Sequence, residues 1–262
     1  CNEVAAILGE YHRLFDIYNE YDDVNNLKTI NLNAGKNPVK VDQKLIDFLL
    51  YAKELYNTTD GEMNVMMGAL LRPWQGVVAV DTGHIAVHES GAVEAAGHKV
   101  ITVPNRDGKL YADVLKNYLT AFYADETYQH MVAPGMVYIS QPTEYGTIYS
   151  RAELEALSEV CRQREIPLYI DGARMAYALA AEGADYTLSD IARIADVFYI
   201  GGTKCGTLFG EALVVTNSRL LKNLFPLVKQ HGALLAKGRL LGIQFGVLFR
   251  DGLYNTIGTH AV

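Results

Sequence analysis

An α/β fold with a mostly parallel sheet is predicted by three features of this sequence. From about residue 76 onward, short strand-like apolar runs alternate with helical patterns. Polar, chemistry-bearing residues fall just after those runs rather than within them. A single lysine, Lys204, follows the apolar run Val197-Phe198-Tyr199-Ile200 and the pair Gly201-Gly202, with no other charge beside it.

The strand-like runs are Val77–Val80, Lys99–Val103, Met136–Ser140, Leu168–Ile170, Val197–Ile200 and Ala212–Val215. Helical spacing is read near Tyr111–Phe122, Arg151–Arg164 and Leu188–Ile194. Ser150 is the expected cap of the second helix, with Glu153 three residues on as in a capping box. Strands that alternate with helices predict a sheet covered on both faces.

Residues 1–71 follow a different grammar. Val4, Ile7, Leu8, Tyr11, Leu14, Phe15 and Tyr18 have helical spacing, and a polar stretch follows from Asn19 to Asn37. A second helix is expected from about Asp42 to Tyr56, with Asp42 as its N-cap and Leu45, Phe48, Leu49, Ala52 and Leu55 on one face. The turn-forming run Thr58-Thr59-Asp60-Gly61 ends it. This part reads as a small helical α+β fragment. Asp22, Asp23 and Asp60 read as solvated turn carboxylates, and no metal site is expected.

The composition narrows the function classes. The net charge is −7 and no basic run interrupts it, which argues against a nucleic-acid partner. Apolar stretches are too short to span a bilayer and no signal peptide is read, so a cytoplasmic location is expected. Cys1, Cys161 and Cys205 form no CxxC and no even framework, as expected of free thiols in a reducing compartment. The chain opens on Cys1, with no initiating methionine and a helical pattern at once, which suggests a truncated start.

The strand ends converge on one chemistry. Asp81, Thr82 and His84 follow the first strand. Gln141, Thr143 and Glu144 follow the third, Asp171 and Arg174 the fourth, and Lys204 the fifth. Ligands of open α/β sheets bind beyond the carboxyl ends of the strands. A lysine amid apolar neighbours is expected to lose solvation and approach neutrality, where its amine can attack an aldehyde. The flanking glycines are expected to let the backbone approach something flat. Read alone, Lys204 reads first as a snorkelling lysine at a strand end, and the rest of the chain reverses that reading. His88 and His98 read as surface or packing residues, and Glu89 as a residue that caps or orients a helix beginning near Ser90.

Pyridoxal phosphate is an aldehyde that this set of residues suits. The lysine would carry it, and Asp171 would keep its pyridine nitrogen protonated. His84 would cover a ring face. Arg174 would pair with the phenolic oxygen or a substrate carboxylate. A cup of backbone N–H groups for the phosphate is not legible in the chain.

Four runs carry a family resemblance: Thr82-Gly83-His84-Ile85-Ala86-Val87-His88-Glu89-Ser90-Gly91-Ala92, Pro142-Thr143-Glu144-Tyr145-Gly146-Thr147, Ile170-Asp171-Gly172-Ala173-Arg174-Met175 and Gly201-Gly202-Thr203-Lys204-Cys205-Gly206. Through them, residues 72–262 resemble the large domain of low-specificity threonine aldolases. That group is pooled with the aromatic amino-acid β-eliminating lyases, within the aspartate aminotransferase-like, fold-type I pyridoxal-phosphate enzymes. The resemblance implies Lys204 as the Schiff-base lysine, Asp171 as the pyridinium partner, and His84 as the stacked ring and a base at the substrate hydroxyl. It implies Arg174 and Thr143 among the cofactor- and substrate-binding residues. It also implies a small amino-acid substrate, cleavage of threonine-like β-hydroxy amino acids to glycine and an aldehyde, and a homo-oligomer.

Residues 1–71 resemble instead an early part of the FAD:protein FMN transferases, in Leu14-Phe15-Asp16-Ile17-Tyr18-Asn19-Glu20-Tyr21, Asn31-Leu32-Asn33-Ala34-Gly35 and Thr59-Asp60-Gly61-Glu62-Met63-Asn64-Val65. With a seam near Gly68–Gly76, the chain reads as a chimera of two truncated proteins. On that resemblance its aldolase-like part is expected to lack the family's N-terminal phosphate-binding turn and its small C-terminal domain. Three alternatives stand beside the aldolase reading: β-elimination from an aromatic amino acid, an inactive fusion fragment, and a flavin transferase.

Overall fold

The computed structural model describes residues 10, 13–14, 20–33, 38–46, 71–221, 224–236 and 238–262. It divides into two compact units, Cys1–Gly61 and Glu62–Val262.

Within the first unit, α1 (Leu27–Asn33) lies inside the polar stretch, where helical spacing is not legible. Its start is fixed by Asn26, whose side chain accepts from the Thr29 N–H at 3.1 Å. Residues 43–46 are helical, and the Asp42 carboxylate accepts from the Lys44 N–H at 2.8 Å, as expected of an N-cap. Arg13 pairs with Asp23. No metal-binding cluster occurs among the described residues. The helix expected over 4–18, most of the 42–56 helix, and the 59–65 run lie largely or wholly outside the described residues.

The second unit is built on a six-stranded sheet. Its strands are β1 (Gln75–Val80), β2 (Val100–Val103), β3 (Ala133–Ser140), β4 (Leu168–Gly172), β5 (Val197–Ile200) and β6 (Ala212–Val215), in the order β2-β1-β3-β4-β5-β6. All neighbours pair parallel except β5 and β6, which are antiparallel. Each strand-like run of the sequence is therefore a strand of this sheet.

Side-chain alternation sends two sets of apolar residues to opposite faces. Val78, Val80, Val137, Ile139, Leu168, Ile170, Phe198 and Ile200 join the larger core. There they meet α4 (Ala112–Ala124), α5 (Arg151–Gln163), α6 (Met175–Ala180), α7 (Leu188–Ile194), α9 (Arg239–Leu248) and α10 (Leu253–Ala261), through residues such as Leu119, Leu157, Ala176, Ile191, Phe245 and Tyr254. Between α7 and α9 in the chain lies α8 (Leu224–Gln230). Val77, Ala79, Met136, Tyr138, Tyr169 and Val197 face the other way. Among the described residues, that face is met by Leu71, Ile85, Val93 and Leu220, with Ile85 and Val93 from the short helices α2 (His84–Val87) and α3 (Ala92–Ala95). Ser140, Asp171 and Tyr199 alternate onto this same face.

Ser150 closes the expected capping box on α5: its side chain accepts from the Glu153 N–H, and Glu153 accepts from the Ser150 N–H at 2.7 Å. Ser150→Ala is expected to cost about 1 kcal/mol, seen as a fall of roughly 2–4 °C in the unfolding midpoint. Burial pushes the Cys161 thiol up to about 12, as suits a packing residue of the same helix. Among the described residues, no helix is long and apolar enough to cross a membrane.

Candidate active site

Register places the site before any side chain is considered. Ser140 on β3 pairs with Asp171 on β4, and Asp171 pairs with Tyr199 on β5. Lateral neighbours in a parallel sheet point to the same face, so these three form a row at the carboxyl end of adjacent strands. One pocket is lined by that row together with His84, Glu89, Pro142, Thr143, Glu144, Ala173, Arg174 and Lys204. All five residues singled out from the sequence (His84, Thr143, Asp171, Arg174 and Lys204) meet there, although 120 positions separate the first from the last.

Asp171 is the deepest charge. It is 6% exposed. Oδ1 accepts from the Ala173 N–H at 2.9 Å, the Tyr138 hydroxyl donates to Oδ2, and Tyr199 lies beside Asp171 on the neighbouring strand. Among the described residues, no lysine, arginine or histidine pairs with it. Burying a carboxylate without a cationic partner is costly, and two donors offset only part of that cost. Such a group is suited to receive a cationic N–H from the pocket. Burial and the nearby Asp171 charge both push the hydroxyls of Tyr138 and Tyr199 far above the usual phenol value, so both stay protonated donors.

His84 opens α2 and is fixed from two sides. Its backbone N–H donates to Glu144 Oε1 at 2.9 Å, and its Nδ1 lies 2.6 Å from Glu89 Oε1. Glu144 is itself held by the Ser140 hydroxyl at 2.6 Å. A carboxylate beside Nδ1 favours the proton there, so that a neutral ring would present Nε2 as an acceptor. The role expected for Glu89 at a following helix is therefore replaced by one at His84. That following helix begins at Ala92, with Gly91 as its cap. His88 is exposed, and buried His98 bonds the Gln75 carbonyl at 3.0 Å, so both are the surface and packing residues expected.

One expectation about the lysine loop is corrected. Lys204 is exposed rather than desolvated. The chain leaves the sheet at Ile200, and the apolar residues preceding Lys204 belong to the two cores rather than to a sheath around its amine. The glycines are required by close approach of the protein's own backbone. A Cβ on Gly201 would lie 2.0 Å from the Ala173 carbonyl oxygen, and one on Gly202 would lie 2.4 Å from that of Gly210. Arg174 is exposed at the N-cap of α6 and makes no ion pair among the described residues. Thr143 is buried, and its hydroxyl is engaged within its own turn with Thr147 Oγ1 at 2.7 Å.

Glu144, counted among the strand-end groups in the sequence, lines the pocket, whereas Tyr138, Tyr199, Ser140 and Glu89 were not recognised from the sequence as parts of one site. A signal for Tyr138 and Tyr199 exists in retrospect. A tyrosine hydroxyl within an apolar strand needs a partner, and both strands flank the one that ends in Asp171.

The description beta-eliminating lyase matches residues 41–255, a span that crosses the seam expected near residue 72. A low-specificity L-threonine aldolase of Pseudomonas sp. is 30% identical over 200 residues, covering 76% of this chain and 57% of that protein. The chain thus spans little more than half the length of this curated relative. The solved Leishmania major threonine aldolase is 40% identical with a TM-score of 0.72, over 94% of this chain and 75% of that one. A Thermus thermophilus aspartate aminotransferase double mutant shares the fold at 14% identity, with a TM-score of 0.54, over 75% of this chain and 49% of that one.

Proposed function

Since the chain belongs to the beta-eliminating lyase family, we propose that its pocket holds pyridoxal phosphate and cleaves a threonine-like β-hydroxy amino acid to glycine and an aldehyde. The observation that carries this reading is that a buried carboxylate, Asp171, without a cationic partner among the described residues, and the amine-bearing Lys204 line one pocket. The donor set fits the cofactor. It has an amine to bind an aldehyde, an acid for a ring nitrogen, an imidazole for a ring face, and a guanidinium for an anionic oxygen.

When bound, pyridoxal phosphate supplies an electron sink for the pair left on the substrate's α-carbon. Everything else falls to this chain's residues. Lys204 would hold the cofactor covalently and yield its place to the substrate amine. Asp171, oriented by the Tyr138 hydroxyl and the Ala173 N–H, would face the ring nitrogen and favour its protonated form. Exposed Arg174 would bind the substrate carboxylate or the cofactor's phenolic oxygen, where a planar two-donor fork gives orientation. His84, with Nδ1 committed to Glu89, would accept the β-hydroxyl proton at Nε2 as the Cα–Cβ bond breaks. A proton returned to Cα completes glycine, and the former Cβ leaves as the aldehyde carbon.

The family also includes β-elimination, which supports a second reading with an aromatic amino acid as substrate. Product analysis separates the two. With pyridoxal phosphate and threonine, the aldolase reading expects glycine and acetaldehyde in equal amounts. Pyruvate and ammonia from tyrosine or tryptophan, without glycine from threonine, would replace it by the second reading.

A further inference from the structure

The loop that carries Lys204 runs from the end of β5 to the start of β6, and it is fixed through its backbone. Glu211, immediately before β6, accepts the Gly202 N–H at Oε2 and the Thr203 hydroxyl at Oε1, the latter at 2.8 Å. The Tyr177 hydroxyl of α6 donates to the Lys204 carbonyl. Tyr254 of α10 donates to the Gly201 carbonyl at 3.2 Å, and Gln244 of α9 bonds the Leu208 N–H and the Phe209 carbonyl at 2.8 and 3.1 Å. The main chain is therefore held on both sides of Lys204, while its side chain is exposed at the pocket.

Glu211 stands out within this set. It is half-buried, it does not line the pocket, and no lysine, arginine or histidine pairs with it among the described residues. Both of its oxygens are committed to the two residues just before Lys204. Hydrogen bonds to an ionised acceptor are about twice as strong as neutral ones, so this carboxylate is a strong local anchor.

We propose that Glu211 is a positioning residue for Lys204: it fixes the backbone of the lysine loop so that the amine is presented to the pocket. This rests on the reading of Lys204 as the reactive amine. It separates position from charge, because a nearby anion would also favour the protonated amine. Glutamine distinguishes the two. Its carbonyl can accept the Gly202 N–H while its amide donates to Thr203 Oγ1, which preserves the geometry and removes the charge.

Two measurements on the full chain test the proposal. Hydrogen exchange of the 201–210 segment, without cofactor, is expected to rise about tenfold in Glu211→Ala and to stay within about twofold in Glu211→Gln. Pyridoxal phosphate trapped on Lys204 by borohydride and located by peptide mass spectrometry is expected to form about tenfold more slowly in the alanine variant and near the native rate in the glutamine variant. If Glu211→Ala also raises exchange throughout α5, the whole unit has loosened, and Thr203→Val decides: a local rise in 201–210 supports the anchor, and none overturns it. Native exchange in a folded Glu211→Ala overturns the proposal. So does slow trapping in Glu211→Gln with native exchange, since charge would then be the cause. If the wild type is not labelled at Lys204 but the exchange pattern holds, the function proposed above fails and the anchor stands.

Discussion

Lys204→Ala mixed with pyridoxal phosphate is expected to lose the visible absorbance of lysine-bound cofactor that the unaltered chain develops, and with it the cleavage of threonine. The expected fall in turnover is on the order of 10³-fold or more, as when a nucleophile that works as part of a unit is removed. Folding is expected to be little affected. The Lys204 side chain is exposed and forms no ion pair among the described residues, so its removal strips no partner. The loop itself is held through the backbone, by the Tyr177 bond to the Lys204 carbonyl and by Glu211. Absorbance spectra and thermal unfolding of both proteins, recorded side by side, check the two halves of this prediction. Equal absorbance in the variant would mean that the chromophore sits on other lysines.

Asp171→Asn is expected to separate activity from stability in the opposite sense to most buried substitutions. The amide keeps the shape and can still bond Tyr138 and the Ala173 N–H, but it removes a buried negative charge that has no cationic partner among the described residues. Without cofactor, the unfolding midpoint is therefore expected to hold or rise. Turnover is expected to fall by roughly 10²–10³-fold, the usual effect of removing one preorganised electrostatic partner of a developing charge. Calorimetry of the cofactor-free variant and steady-state kinetics with cofactor give the two numbers. A variant that unfolds early and loses activity in proportion would make Asp171 a structural residue.

The sheet was legible because a central parallel sheet writes itself as short apolar runs, and every such run became a strand. The helix starting at Ser150 was legible because a capping box is a local signal that tertiary contacts reinforce rather than oppose. Helix α1 was not, since its Asn-rich sequence has weak intrinsic propensity and its signal reduces to one capping residue, Asn26. The site residues that announce themselves at strand ends, Asp171 and Lys204, were found from order along the chain. Tyr138 and Tyr199 were not, because their importance depends on which strand lies beside β4, and pairing is not written locally. The exposure of Lys204 was misjudged for a related reason. Apolar neighbours in sequence were taken as neighbours in space, whereas alternation sends Phe198 and Ile200 into the core away from the pocket.

A crystal structure of the chain soaked with pyridoxal phosphate tests the central claim most directly. The account predicts continuous density from Lys204 Nζ to the cofactor, with the ring nitrogen within about 3 Å of the Asp171 carboxylate and the His84 ring over one face. A cofactor attached elsewhere, or attached to Lys204 with its ring nitrogen turned away from Asp171, would contradict it.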